Sequence, residues 1–437
     1  MAQGKVATKG GLWQRTGPAE ATSLDARFCA AFSHIILTGF PMRDPLFRMA
    51  LILGLLSAVG PFAIDMYLPA LPDVAADLDT SEARAALTLT SYFIAFGLAQ
   101  MVYGPMSDAV GRKLPLLLGV GVFLAATVAS ALAPTIGWLI AARAVQGFGA
   151  ATLMVVPRAV IRDMATGPDA ARMMAAIMIV ISVSPMLAPL SGALIMAWGG
   201  WREIFAVLGL ATLVSLALIV FALPETLPPA RRQPVRLAPM LTGARRLLGD
   251  RRFMGLTMIG GFAMSSFFVF LATASFVYTR QYGLSPTGFS LAFAINAIGF
   301  FSASQMAGRL AQSFGMERVI SLAITGFLAM TLLLSLVVLG GFDALPVVVA
   351  GLFMANAALG LVMPTTMVMS LDPHPDIAGL ASSLGGTIQM LTGAAMIGVT
   401  SPFIDNSSAT MVPAIALCAA LAWLAAVLSL PRLRLLA

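Results

Sequence analysis

Twelve times along this chain the sequence runs for roughly twenty residues with almost no charge, and each run is long enough to cross a bilayer as one helix. The runs lie at roughly 46–71, 84–104, 113–133, 136–157, 173–197, 203–223, 253–277, 288–308, 319–339, 345–370, 378–403 and 411–430. Turn-forming pairs separate them: Gly104-Pro105, Ala133-Pro134, Gly199-Gly200, Ser285-Pro286, Gly340-Gly341 and Asp372-Pro373. Hydrophobic residues make up 59% of the 437 positions and charged ones only 10%, against about a quarter charged in a soluble domain. A water-facing fold cannot bury that much apolar surface, so lipid must cover it. The expected fold class is an all-α polytopic membrane protein with twelve transmembrane helices.

The net charge of +7 raises the question of nucleic acid. The basic residues sit in the short gaps between apolar runs, so they read as topology determinants and no nucleic-acid partner is expected. With both termini placed in the cytoplasm, 22 of the 26 Lys and Arg fall on that side. Arg84, Arg202 and Arg280 fall outside and Arg143 falls inside a span. The positive-inside rule therefore predicts a multi-pass membrane protein with both ends in the cytoplasm.

The chain divides into a cytoplasmic tail over residues 1–45, a six-helix bundle over 46–223, a linker over 224–252 and a second six-helix bundle over 253–437. The tail's apolar piece, Phe28 to Phe40, is too short to span, and Met42 is an alternative start. The linker carries seven arginines. Gly104-Pro-Met-Ser-Asp108-Ala-Val-Gly111-Arg112-Lys113 after the second span is echoed 204 residues later by Gly308-Arg-Leu-Ala-Gln312-Ser-Phe-Gly315-Met-Glu317-Arg318 after the eighth. Matching loops at equivalent places point to two repeated halves with a site between them. Cys29 and Cys418 give no disulfide framework, and two histidines give no metal cluster. His374 reads as a loop residue.

Several segments resemble the major facilitator superfamily, and within it the Bcr/CflA-type drug-resistance exporters. Gly104 to Lys113 is similar to the loop motif G-x-x-x-D-R-x-G-R-R/K, departing from it at Ala109. Arg143-Ala-Val-Gln146-Gly147-Phe-Gly149 is similar to the fourth-span motif R-x-x-Q-G-x-G. Ala188-Pro189-Leu-Ser-Gly192-Ala193 keeps only Pro189 and Gly192 of the fifth-span exporter motif G-P-x-x-G-G. Ile64-Asp65-Met66-Tyr67-Leu68-Pro69 and Gly200-Trp201-Arg202 point to the narrower family. The resemblance implies the major facilitator fold, a monomer with no cofactor, and alternating access for small molecules and protons.

Asp65 and Arg143 are the charges that need an explanation. Each lies roughly 10 Å inside the expected outer end of its span. An isolated charge at the centre of a bilayer costs about 2.5–3.5 kcal/mol or more. At equal depth the two are able to share one cavity. Asp65 is then a candidate proton carrier and Arg143 its modulator, and the resemblance implies coupling roles for such a pair. A plain structural ion pair fits the same residues. Asp108 is expected at a helix N-terminus; the resemblance implies the eleventh span, starting near Ile377, and a latch with Gly104, Gly111, Arg112, Arg162 and Asp163 that closes the cytoplasmic side. Pro189 and Gly192 are candidate gate residues in the fifth span, although ordinary helix packing explains them equally well. Near the midplane, Tyr92, Phe96, Gln146, Phe267, Asn296, Asn356 and Gln389 would give an apolar, aromatic pocket with few polar anchors.

The expected function is proton-coupled export of amphipathic drugs or metabolites. Uptake by symport on the same fold, or a non-transporting sensor, are the alternatives. No nucleophile–base constellation marks an enzyme, and no G-x-x-x-x-G-K-[ST] loop marks an ATP-driven pump.

Overall fold

The computed structural model describes residues 45–234, 237–403 and 405–430. By contacts the chain parts into residues 1–49 and Ala50–Ala437. Of the first unit, residues 45–49 are described, as the opening of the first helix; the expectations for the tail lie outside the described residues.

The described helices are α1 (Pro45–Asp65), α2 (Leu71–Asp77), α3 (Glu82–Val110), α4 (Lys113–Ala131), α5 (Ile136–Met164), α6 (Gly167–Met196) and α7 (Trp201–Phe221), then α8 (Leu237–Gly249), α9 (Arg251–Arg280), α10 (Pro286–Phe314), α11 (Met316–Leu339), α12 (Leu345–Leu371), α13 (Ala378–Thr400) and α14 (Ser408–Ser429). Twelve spans are long and apolar enough to cross a membrane, with α1 and α2 forming the first and α8 belonging to the linker.

Polar caps start these helices where the sequence turns. The hydroxyls of Ser81, Thr135 and Ser285 accept from the backbone N–H of the third residue of α3, α5 and α10. Asp250 accepts from the N–H groups of Arg252 and Phe253 to open α9. The two halves of the internal repeat also behave alike. Gly111 and Gly315 adopt φ of +103° and +84° at the ends of α3 and α10, a region that disfavours a Cβ. Gly104 and Gly308 both face open space inside their helices.

Two boundaries differ from expectation. Gly104-Pro105 is not a turn: α3 runs through it to Val110. A proline inside a spanning helix leaves one carbonyl unpaired, and neighbouring groups can satisfy it. The first span is not one helix. Its α-helical ladder stops at Asp65, passes through a 3₁₀ turn over Leu68–Ala70, and resumes as α2 to Asp77. Pro69 and Pro72 lack an N–H and bias the residues before them away from the helix, so the ladder cannot continue uninterrupted.

Packing sorts the spans into two groups. Helix α5 lies against α3 and α4, and α4 against α7. In the second group α9 lies against α14, α13 and α12, while α12 lies against α10 and α11. The groups meet along α3–α13 and α6–α10. The Gly97 carbonyl accepts from Thr387 Oγ1 at 2.6 Å, and Phe93 stacks on Phe268 with centroids 4.2 Å apart. At the other seam Ser290 Oγ donates to the Pro189 carbonyl at 2.8 Å.

Candidate functional site

The break in the first span places Asp65 at the last residue of α1, buried, with 5% of its surface exposed. Among the described residues its carboxyl makes no ion pair and no side-chain hydrogen bond. Arg143 of α5 is fully buried nearby. Its Nη1 donates to the Ala63 carbonyl at 3.0 Å and to Gln146 Oε1 at 2.5 Å. Its guanidinium lies 4.9 Å from the Tyr67 ring centroid and 4.6 Å from that of Tyr92. Among the described residues its Nε and Nη2 have no hydrogen-bond partner. The two charges therefore do not form the ion pair that equal depth suggested. Arg143 reaches the α1 backbone two residues before Asp65, and aromatic faces supply the rest of its shell. Tyr92 of α3 lies within electrostatic reach of both charges, and its hydroxyl donates to the Gly60 carbonyl of α1 at 3.3 Å.

The arginine-rich end is tied together differently. Arg112 has only 6% of its side chain exposed. Its Nε donates to Asp163 Oδ2 at 2.8 Å, and its Nη1 donates to Asp108 Oδ1 and to Ser107 Oγ. This joins the α3–α4 loop to the end of α5. Asp108 does not cap the eleventh span: α13 starts without a side-chain cap, and the Asp108 carboxylate turns back to Arg112 four residues on. Arg162 is exposed beside this cluster. The linker completes it. Glu225 accepts from the backbone N–H groups of Arg112, Lys113 and Leu227 at 2.9, 3.2 and 2.9 Å, and Thr226 Oγ1 donates to Asp163. Partial burial works against the charge of Glu225, but these three N–H groups hold its carboxyl below its ordinary value.

Twelve spans in two groups, a broken first span with a buried acid, and a basic clamp in the α3–α4 loop can now be set beside known proteins. The family model described as Major Facilitator Superfamily matches residues 53–398. The chain belongs to the major facilitator superfamily. An uncharacterized MFS-type transporter of Bacillus subtilis is 34% identical over 368 residues, which covers 84% of this chain and 90% of that one. A bicyclomycin resistance protein homolog of Haemophilus influenzae is 31% identical over 381 residues, 87% of this chain and 95% of that one. Among solved structures, a D-xylose–proton symporter superposes with a TM-score of 0.69 at 17% identity, covering 89% of this chain and 98% of that one. This chain is thus a major facilitator transporter, a multi-pass membrane protein acting on small molecules, with the fold of two six-helix halves.

Within this superfamily fold the motif glycines have concrete tasks. Gly192 of α6 meets the backbone carbonyl of Met66 so closely that a Cβ has no room, so the fifth span crosses directly over the break beside Asp65. Gly147 and Gly149 let α5 approach the backbones of α3 and α4. Gly200-Trp201-Arg202 also has a task. Trp201 Nε1 donates to Asp77 Oδ2 at 3.1 Å and Arg202 Nη1 to the same oxygen, pinning the start of α7 to the end of α2.

The expected pocket residues do not form one cluster. Tyr92 and Phe96 stack with centroids 6.0 Å apart, and Phe93 carries the aromatic run across to Phe268 and Phe267. Phe267 in turn stacks on Phe300. Gln146 belongs to the interior of the first half, because its Nε2 donates to Thr127 Oγ1 of α4 at 2.8 Å. Gln389 packs by Gly260 and Thr366, within the second half. Asn296 is buried, with its Nδ2 donating to the Ala292 carbonyl of its own helix at 3.0 Å, and Asn356 is buried on α12.

Sequence reading missed several residues. Tyr67, on the broken segment, gave a signal in its place beside Asp65. Glu225 and Thr226 gave only the composition of a linker. His374 is not a plain loop residue: it has 4% of its surface exposed, and its Nε2 lies 2.9 Å from Asp250 Oδ2, next to the Phe253 ring.

Proposed function

We propose that this transporter exports amphipathic small molecules in exchange for protons, with Asp65 carrying the proton and Arg143 as the charge it meets in another state. The observation that carries this reading is the pair of unmet needs at one helix break. A carboxylate at Asp65 would be buried without a partner, a costly arrangement that protonation removes. Among the described residues Arg143 keeps two nitrogens, Nε and Nη2, without a hydrogen-bond partner, while its Nη1 bonds the α1 carbonyl two residues before Asp65. A small shift of α1 against α5 would join carboxylate and guanidinium and favour release of the proton. Two arrangements of one acid, one neutral and one paired, are what alternating access requires of a proton carrier.

Gly192, Pro189 and Ser290 lie where α6 crosses the break and meets α10, and serve as the gate next to the carrier. Arg112, Asp108, Asp163 and Gly111, with Gly104 and Arg162 beside them, form the latch of the arginine-rich end, which is the cytoplasmic one by the positive-inside rule. The aromatic run from Tyr92 and Phe96 to Phe267 lines the substrate path, Asn296, Asn356 and Gln389 serve as its polar anchors, and the protein works as a monomer. The name of the Haemophilus relative supports a drug-like substrate. The direction of coupling is tested in everted vesicles energised to an acid interior. Substrates of an antiporter release protons from that interior when added outside. Substrate-dependent proton movement in the opposite sense would identify a symporter.

A further inference from the structure

Helix α6 packs chiefly against α10 of the other half and far less against α5 and α7 of its own. Behind it lies a cavity of about 810 Å³ bounded by α1, α6 and α7. Its walls run along α6 from Ile179 to Ile195, a rise of roughly 24 Å, and continue to Trp198 just past the helix end, so the slot covers most of the hydrocarbon thickness of a bilayer. Ala58, Leu187 and Ala211 are among its lining residues, and Met66, next to Asp65 and packed on Gly192, lines it toward the Trp198 end. The rim residues Leu55, Leu194 and Val214 are exposed where lipid surrounds the bundle.

Among the described residues no charged side chain lines this space, and its polar groups are three serine hydroxyls and, at the rim, the indole of Trp198. Ser191 and Ser215 already donate to carbonyls of their own helices. Ser184 Oγ alone is buried and unpartnered. One hydroxyl cannot hold water, which needs two to four polar partners. An empty slot is equally poor, since its lining would lose dispersion contacts on one side.

We propose that the slot is a phospholipid-binding site: acyl chains of a bilayer lipid seat behind α6, retained longer than the surrounding lipid. Trp198, 92% exposed at the mouth, is the kind of ring that sits at the headgroup level. The seated chain supplies the packing that α5 and α7 do not, and holds α6 against α10 and against the α1 break through Gly192. The composition of the bilayer thereby reaches the carrier site without any polar contact. This assignment rests on the fold and the cavity and does not depend on proton exchange.

The test uses the full chain reconstituted in phosphatidylethanolamine–phosphatidylglycerol vesicles doped with a phosphatidylcholine bearing a diazirine on its acyl chain. After irradiation, adducts are mapped by peptide mass spectrometry. The expected result is labelling of α6 and α7 in the slot several-fold above that of Leu332, Leu333 and Leu336, which are exposed on α11. Ala58→Phe combined with Ala211→Phe fills the slot and should bring labelling down to the α11 level. Ala350→Phe, in a separate apolar groove between α10 and α12, should leave it unchanged. Slot labelling equal to that of α11 in the wild type, which needs no variant to fold, overturns the proposal. So does displacement of the label by a transported amphipath, which would make the slot a substrate passage.

Discussion

Removing the Arg112 side chain by Arg112→Ala tests the clamp at the arginine-rich end. Its guanidinium is nearly excluded from water and bonds Asp163, whose side chain is only 12% exposed, at 2.8 Å. Breaking a buried pair by removing one partner costs about 3–5 kcal/mol. Asp163 keeps the Thr226 hydroxyl, so the lower part of that range is expected. The other arm of the clamp is different in kind. Asp108 is 53% exposed, and exposed pairs contribute about 0–1 kcal/mol. Thermal unfolding in detergent, followed by a thiol-reactive dye at the buried Cys418, should therefore rank Arg112→Ala far below Asp108→Asn, with Asp163→Asn close to Arg112→Ala. The double variant Arg112→Ala/Asp163→Asn should lose little more than either single one, because the two act through one interaction. Equal, small losses for all three variants would refute the reasoning that burial makes this arm strong.

Three further outcomes follow from the packing and the charges. Gly192→Val should prevent accumulation of folded protein, because Met66 leaves no room, whereas Gly398→Val, where nothing lies within 4 Å, should express and unfold like the wild type in the same detergent assay. Glu225 has its folded-state acid strength raised by three N–H groups, so its contribution should be full above about pH 5 and vanish as the pH falls through the carboxylate range. The stability gap between wild type and Glu225→Gln, measured from pH 7 to pH 3, should close at the acid end, and a constant gap would contradict that. Arg143→Lys should abolish coupled transport in vesicles while leaving the protein folded, since an ammonium cannot reproduce the planar contact with Tyr67 and Tyr92 together with the bonds to Ala63 and Gln146; retained transport would show that charge alone suffices.

The fold was legible because its governing signal is local. Twelve apolar lengths are properties of segments, and lipid imposes them on any chain that spans it. The loop repeat was legible for the same reason: Gly111 and Gly315 mark positive-φ backbone positions that disfavour a Cβ. What escaped were features set by neighbours from distant parts of the chain. Gly104-Pro105 has the composition of a turn, yet α3 continues through it to Val110. Depth along a span placed Asp65 and Arg143 at one level, but could not show that Gln146 and two tyrosines already surround the guanidinium. Gln146 itself counted as pocket-lining by depth, whereas its direction, fixed by Thr127, takes it into the bundle. Glu225 and His374 gain their partners through folds of the linker and of the α12–α13 loop that no periodicity encodes.

Drug-driven proton release by Asp65→Asn, in proteoliposomes containing a pH-sensitive dye and protein normalised to the wild-type amount, addresses the proton carrier most directly. The amide keeps the size of the side chain and stays neutral in both states. Substrate binding should survive in this variant, and substrate addition should move no protons. Proton release at the wild-type rate would show that the coupling acid lies elsewhere.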